Sequence, residues 1–205
     1  MHAIVSEMLL SSIGPSRRTL LLGAAGAMIA PGRSSWALDH LKIGAGRGTI
    51  DFSIGDSKLF RTTGSFNDWH GMVNVDDTDV PKSRVDVKVN TRSIQMLDKQ
   101  QTDMLKDVDF FDVDKFPEMT FHSKSVERVG EDKLKVTGDI TLRGITKPMQ
   151  LDVSVLDRKP DAPPGERCAR FRGQGQIKRS EFGMTKFLDV VGDTVDISIR
   201  TDAWR

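Results

Sequence analysis

Apolar and polar residues alternate along most of the chain from residue 49 onward. In the first such segment, Ile50, Phe52 and Ile54 fall on one face and polar residues fall on the other. The alternation recurs along the chain, at 72–75, 84–90, 119–122, 134–142, 151–155, 171–177 and 195–199. A period of two residues is typical of a β-strand with one buried face and one solvated face.

About eight such strands predict an all-β protein. A sheet that is apolar on one face has to curl or pair with another layer in order to bury that face. Eight antiparallel strands can close into a barrel that is wide enough to hold one small ligand. The pattern therefore predicts a single antiparallel eight-stranded barrel.

The stretch between the strands at 84–91 and 119–126 follows a different period. Its apolar residues recur at helical spacing, at Ile94, Leu97, Met104, Leu105 and Val108. Polar residues at 98–101 and 103 supply the opposite face. We expect one or two short helices here, placed to cover an open end of the barrel.

The N-terminal segment has the composition of an export signal. An arginine pair at 17–18 precedes the uncharged run 20–30, which is shorter than the roughly 20 apolar residues that span a bilayer. Ser-Trp-Ala at 35–37 is a small-x-small pattern that suits cleavage by signal peptidase. The alternative is a buried core helix that follows two arginines, but such a helix would not require an arginine pair, an apolar run and a cleavage pattern in this order. We predict a twin-arginine signal peptide at 1–37, a folded domain at 38–205 and export to the periplasm.

Composition and charge exclude several classes of protein. The formal charge is +1 over 205 residues, and no clustered basic face of the kind that binds nucleic acid is present. Cys168 is the single cysteine, which excludes an intramolecular disulfide, a zinc ribbon and an iron–sulfur cluster. We therefore expect no nucleic-acid partner.

The sequence contains no recognisable catalytic or metal-binding motif. His40, His70 and His122 are widely separated, and His122 falls on the polar face of its strand. The acidic cluster at 107–114 lacks the glycine turn and the terminal glutamate of a calcium loop. These patterns favour a container over a catalyst, with no catalytic residue, no metal and no cofactor.

Three segments together resemble the YceI family of periplasmic lipid-binding proteins. They are 105–121 (LKDVDFFDVDKFPEMTF), 138–148 (GDITLRGITKP) and 178–184 (KRSEFGM). The double Phe followed by Lys-Phe-Pro is the most specific part, and Arg-Ser-x-Phe-Gly-Met is nearly as specific. The resemblance extends from about residue 49 to the end of the chain.

The resemblance implies a lipocalin-like antiparallel barrel with an elongated apolar tunnel. It also implies a bound polyisoprenoid lipid or the tail of an isoprenoid quinone, and no enzymatic activity. A membrane redox protein that receives a quinone, and a second copy of the chain in a homodimer, are the protein partners compatible with such a container.

The sequence departs from the family at two positions. Many members carry a His just before the first strand and another four residues after its Phe, where this chain has Arg47 and Asp56. Gly64 and Phe66 fall where the family has Gly-x-Phe, which supports that register. If those histidines touch a ligand head group in other members, the contact is changed in this chain.

We assign ten residues to the inward, ligand-binding face of the barrel. They are Phe52, Ile54, Phe66, Trp69, Val87, Val89, Phe121, Leu142, Phe182 and Met184. The alternative for each is that it fills a closed core, since a small barrel packs the same residue types. Of Phe110 and Phe111, we expect one to pack into the barrel end against the helix and the other to lie near the tunnel mouth.

Two other functions remain open from the sequence. A stress-response or protein-interaction module would have a filled barrel without a cavity. A small enzyme would need polar residues that meet at a barrel mouth, for which Arg47, Asp56, Arg179 and Asp189 are candidates. A long apolar cavity favours the container, and a short polar one favours the enzyme.

Overall fold

The computed structural model describes residues 39–55, 61–76 and 78–205. The predicted signal peptide at 1–37 and Asp56 lie outside these residues and stay predictions. No helix in the described ranges is long and apolar enough to cross a membrane.

The described residues form eleven strands and short helical segments. The strands are β1 (Asp39–Gly44), β2 (Gly48–Ile54), β3 (Thr62–Phe66), β4 (Trp69–Val75), β5 (Arg84–Asn90), β6 (Ile94–Met96), β7 (Glu118–Gly130), β8 (Lys133–Leu142), β9 (Ile145–Arg158), β10 (Arg167–Lys178) and β11 (Thr194–Trp204). The α-helices are α1 (Lys99–Lys106) and α2 (Leu188–Val191). Single 3₁₀ turns occur at Ala45–Arg47, Val80–Lys82, Thr91–Ser93 and Arg179–Phe182.

Eight of the strands close into a ring in the order β1-β4-β5-β7-β8-β9-β10-β11. Every neighbouring pair in the ring is antiparallel, and Lys42 of β1 opposite Trp204 of β11 closes it. The predicted eight-stranded antiparallel barrel is thus confirmed. Strands β2, β3 and β6 extend the sheet beyond β11, with Phe52 of β2 opposite Ile197.

The alternation in the sequence is the inside–outside alternation of the barrel. Along β8, Val136, Ile140 and Leu142 are buried, whereas Thr137 and Asp139 between them are partly exposed. The buried residues form two packed clusters, one around Trp69 and one around Phe121. Burial of one face of each strand is what drives the sheet to close.

The predicted helix is shorter than the apolar spacing suggests. Helix α1 begins after Asp98, whose carboxylate accepts a hydrogen bond from the Gln101 N–H at 2.8 Å. The prediction is wrong for Ile94, which lies in β6 opposite Phe66 and is buried there. It is also wrong for Leu97, whose side chain is fully exposed. Pairing with β3 satisfies the backbone of β6 and takes precedence over the helical period.

The two ends of the barrel differ. We call the end that carries α1, the loop 107–117 and the segment 179–193 the helical end. The loop is fixed there by Arg143 in the β8–β9 turn, whose Nη1 donates to the carbonyls of Val108 (3.0 Å) and Phe110. We call the opposite end, with the β4–β5, β7–β8 and β9–β10 connections, the turn end.

Candidate ligand-binding site

A cavity of about 360 Å³ lies inside the ring of strands. Inward apolar side chains make most of its wall, among them Val87, Phe121, Ile140, Leu151, Val153, Phe171, Ile197 and Ile199. The volume falls within the range of about 300–1,000 Å³ that is usual for small-molecule pockets. The barrel is therefore not filled by its own side chains, which argues against the filled-barrel alternative.

The wall includes one position where a side chain is missing. Gly173 on β10 is buried, and a Cβ built on it would lie 3.6 Å from Cβ of Ile199 and 3.9 Å from Cγ2 of Val153. These are ordinary van der Waals distances. Gly175 differs, because a Cβ there would lie 2.8 Å from the carbonyl oxygen of Gln150. The space in front of Gly173 therefore belongs to the cavity.

Phenylalanine rings line the cavity toward the helical end. The ring centroids of Phe52 and Phe66 are 5.7 Å apart, and Phe111 meets Phe66 edge to face at 5.6 Å. Phe110 is buried, and its ring centroid lies 6.4 Å from that of the half-exposed Phe187. Phe110 and Phe111 both contribute to the wall, so the loop 107–117 forms the end of the cavity.

Exposed side chains reach the cavity at both ends of the barrel. Arg128 near the β7–β8 turn and Arg158 at the end of β9 belong to the wall at the turn end. Gln101 of α1 and Phe187 belong to it at the helical end. The cavity thus extends along the barrel and has exposed residues at each end.

The polar groups at the turn end are largely occupied by their own loop. The carboxylate of Asp76 accepts hydrogen bonds from the Thr78 hydroxyl at 2.7 Å and from the Asp79 N–H at 2.8 Å. The bond from Thr78 is the main cause that lowers the pKa of Asp76. The Asp76 N–H in turn donates to the Ser83 hydroxyl at 3.0 Å. These contacts fix the β4–β5 connection and leave the carboxylate with a structural role.

Arg179, at the helical end, is a buried cation in the cavity wall with 5% of its surface exposed. Its Nε donates to the Gly192 carbonyl at 2.8 Å, and its Nη1 donates to the carbonyls of Met184 (3.0 Å) and Lys186 (2.7 Å). The guanidinium therefore holds the segment that carries Phe187 against the barrel. Its Nη2 is buried and has no hydrogen-bond partner among the described residues.

The carboxylate of Asp193 lies close enough to Arg179 to influence its pKa. Burial lowers the pKa of Arg179, and the charge of Asp193 acts in the opposite direction. Asp193 itself accepts hydrogen bonds from the Ser180 N–H at 2.9 Å and the Ser180 hydroxyl at 2.8 Å. Burial alone would raise the pKa of Asp193, but these bonds and the charge of Arg179 outweigh burial and lower it.

Trp69 places a second hydrogen-bond donor in the wall. Only 3% of its surface is exposed, and its Nε1 has no partner within the described part of the chain. An unpaired N–H in an apolar wall costs free energy unless a ligand or water accepts its hydrogen bond.

The structure brings most of the ten predicted residues to this cavity. Eight of them belong to its wall: Phe52, Ile54, Phe66, Trp69, Val87, Phe121, Leu142 and Met184. Val89 and Phe182 are buried in the two packed clusters and are not part of the wall. Val89 packs beside Trp69 at the end of β5, and Phe182 lies in a 3₁₀ turn. Ligand contact by all ten residues stays a prediction.

None of the ten predicted residues lies in β9, β10 or β11, although these strands contribute to the wall. These strands supply Leu151, Val153, Val155, Phe171, Gly173, Val195, Ile197 and Ile199 to the wall. The signal was present in the sequence, since the alternation at 151–155 and 195–199 marks the same inward faces. The side chains of α1, Met104 and Leu105, also face the cavity.

The residues suggested for a small enzyme do not meet at one place. Arg47 stacks on the ring of Trp204, 4.8 Å from its centroid, at the C-terminal end of β11. Arg179 lies beside Asp193, which precedes the first residue of that strand, so the two arginines are at opposite ends of β11. Asp189 is exposed in α2, and Asp56 is not among the described residues.

Other clusters of polar residues are engaged in surface pairs. Within the described ranges, no group of three or more His, Cys, Asp or Glu residues is arranged to hold a metal ion. In the acidic cluster, Asp109 pairs with Lys186 and Asp114 with Arg92 (2.9 Å). His122 meets Asp86 at 2.7 Å on the outer face of the barrel.

Comparison with known proteins identifies the family of this fold. A family model described as a YceI-like domain matches residues 38–203. A UPF0312 protein of Pectobacterium carotovorum is 32% identical over 190 residues, which cover 92% of this chain and 98% of the relative.

Solved structures share the architecture at lower sequence identity. BcnA of Burkholderia cenocepacia is 24% identical, covers 78% of this chain and 98% of its own, and superposes with a TM-score of 0.67. A polyisoprenoid binding domain from Saccharophagus degradans, implicated in plant cell wall breakdown, is 14% identical. It covers 82% of this chain and 98% of its own, with a TM-score of 0.56.

Proposed function

Since the chain belongs to the YceI family, we propose that its barrel holds a polyisoprenoid chain, either a long prenyl lipid or the tail of an isoprenoid quinone. The single observation that carries the proposal is the apolar cavity that extends along the closed ring of strands. The description of the Saccharophagus degradans neighbour as a polyisoprenoid binding domain supports the same ligand class.

Apolar burial can supply the required affinity. A prenyl chain that buries roughly 600 Å² would gain on the order of 15 kcal/mol gross, at about 25 cal/mol per Å². Ordering of the tail and loss of free translation oppose much of that gain, which leaves a dissociation constant between micromolar and nanomolar. Isoprene units are stiffer than saturated chains and therefore lose less conformational entropy on binding. We expect the length and shape of the tunnel to select the ligand.

The proposed setting is the periplasm, with the twin-arginine signal at 1–37 as the export address. There the barrel would shield a water-insoluble chain for transport, storage or sequestration. The proposal includes no catalytic step, because the wall is apolar and its described acidic group, Asp76, is bound to its own loop.

Tryptophan fluorescence tests the proposal directly, because Trp69 is in the cavity wall and Trp204 is not. We expect a prenylated benzoquinone, added without detergent, to quench the emission in a saturable way at one ligand per protein. A Trp69→Phe variant should lose most of this response, and the matched Trp204→Phe variant should keep it. Absence of saturable quenching, or equal quenching by a quinone without a tail, would overturn the proposal.

A further inference from the structure

Two N–H groups on Nη2 of Arg179 have no acceptor among the described residues. The other three N–H groups of this guanidinium are fully used, since they bind the carbonyls of Gly192, Met184 and Lys186. These three bonds fix the plane and the direction of the guanidinium. The free Nη2 is therefore a preorganised donor, and 95% of the residue is shielded from water by the wall that it belongs to.

The charge of Arg179 also lacks a direct ion-pair partner in the described part of the chain. The carboxylate whose charge acts on it, Asp193, uses its two oxygens to accept hydrogen bonds from Ser180. Because the hydrogen bonds of this buried cation go only to neutral carbonyls, its positive charge can still attract an electronegative atom of a ligand.

The buried side-chain nitrogen and oxygen atoms of the wall that lack a hydrogen-bond partner are of one kind. In the described residues they are Nη2 of Arg179 and Nε1 of Trp69, and both are donors. A pure hydrocarbon leaves both unsatisfied, at the cost of their desolvation. A ligand that ends in an acceptor oxygen removes that cost for each donor that it reaches.

We propose that Nη2 of Arg179 donates a hydrogen bond to an acceptor oxygen at the polar end of the bound prenyl chain. This inference rests on the proposed function and adds an orientation to it. The oxygen-bearing end lies at the helical end beside Arg179, and the hydrocarbon tail runs toward the turn end. The shared chemistry is an oxygen acceptor, either the carbonyl of a quinone or an oxygen of a phosphate.

The test compares three probes with the same isoprene tail: the plain hydrocarbon, the benzoquinone and the monophosphate. Affinities are measured for the full chain by competition against one fluorescent prenyl ligand, without detergent. We expect at least one oxygen-bearing probe to bind about tenfold or more tightly than the hydrocarbon, as for a hydrogen bond to a charged group. The probe that gains affinity distinguishes a carbonyl from a phosphate.

Arg179→Gln should abolish this preference. The substitution also disturbs the segment 183–192 and can lower the affinity for every probe. The quantity compared is therefore the ratio of the affinities of two probes for the same protein, because a general loss of affinity cancels in that ratio. Arg167→Gln is the matched control: Nε of Arg167 is likewise buried without a partner, but Arg167 pairs with Asp157 at 2.5 Å and is not part of the wall. It should keep the wild-type ratio.

The outcomes separate the two proposals. If the hydrocarbon binds wild-type protein as tightly as both oxygen-bearing probes, the role of Arg179 is overturned while the lipid container stands. This comparison needs no variant and remains decisive if Arg179→Gln does not fold. A preference that survives in Arg179→Gln also overturns the inference. If none of the three probes binds, the proposed function itself is wrong.

Discussion

The ring of Phe52 lies directly over Gly64, its partner across the β2–β3 pair. A Cβ built on Gly64 would be 2.4 Å from Cζ of Phe52 and 2.9 Å from the carbonyl oxygen of Gln95. No side chain fits between the ring and the backbone. The glycine therefore sets the position of Phe52, and through it the tilted contact between the rings of Phe52 and Phe66 in the cavity wall.

Gly64→Ala should force the Phe52 ring out of place. Overpacking of this kind typically costs about 1–3 kcal/mol, and we expect that loss in the free energy of unfolding from urea denaturation. Gly46→Ala is the control, because a Cβ at Gly46 meets nothing within 4 Å. Equal stabilities for the two variants would show that the ring moves aside without cost.

Gly173→Leu should fill the cavity from the side. The backbone of Gly173 is ordinary, a Cβ there makes only ordinary van der Waals contacts, and Gly173 belongs to the cavity wall, so the leucine enters the space that a ligand would occupy. We expect a loss of prenyl-ligand affinity of about tenfold or more, since each lost methylene contact costs about 0.8 kcal/mol. The measurement is the saturable fluorescence change of Trp69.

The control for Gly173→Leu is Gln174→Leu, which adds an apolar side chain to the next residue on the outer, exposed face of β10. It should leave ligand binding unchanged. Full ligand affinity in a folded Gly173→Leu variant would show that this part of the cavity is not the binding site.

Phe110 and Phe187 should differ sharply in their contribution to stability. Phe110 is 7% exposed and Phe187 is 47% exposed, although their rings are neighbours. We expect Phe110→Ala to lower the free energy of unfolding by about 3 kcal/mol or more, and Phe187→Ala by only about 0.5 kcal/mol. Thermal and urea denaturation of the two variants measure the difference. Similar losses would mean that the loop 107–117 does not close the barrel end.

Acid should weaken the contact between Asp193 and Ser180. The pKa of Asp193 is lowered in the folded protein from its ordinary value of 3.8, so the carboxylate stabilises the fold above that value. This contribution is lost as the pH falls through the lowered pKa. The stability difference between wild type and Asp193→Asn should therefore be constant near neutral pH and shrink below pH 3.8. A difference that grows in acid would contradict this assignment.

The sequence was sufficient to predict the barrel but not all of its strands. Alternation over segments such as 84–90 and 134–142 marks long strands whose inner face is buried, and these strands belong to the ring. Strand β1, which closes the ring, lies before the alternation that begins at residue 49 and was not predicted, whereas the predicted strand β2 lies outside the ring. Strand β3 (TTGSF) has a single large apolar residue, Phe66, and β6 has three residues in all. Their pairing is decided by partners distant in the chain, which a local period cannot report.

The details of the cavity depend still more on tertiary structure. Gly173 and Gly175 look alike in the sequence, yet a Cβ would fit without a clash at Gly173 and would lie 2.8 Å from the carbonyl oxygen of Gln150 at Gly175. Arg179 belongs to a recognisable segment, but its buried position follows from the fold of the chain between Gly183 and Gly192 back over it. Val89 has the same alternation as Val87 and still lies outside the cavity wall.

Mass spectrometry tests the central claim most directly. The full chain is expressed in a bacterial host that exports it, purified without detergent and extracted with organic solvent, alongside Gly173→Leu and Gln174→Leu. We predict a near-stoichiometric prenyl lipid or isoprenoid quinone in the extracts of wild type and Gln174→Leu, and little or none from Gly173→Leu. Wild-type protein that carries no lipid, and that takes up no added prenyl lipid, would contradict the container.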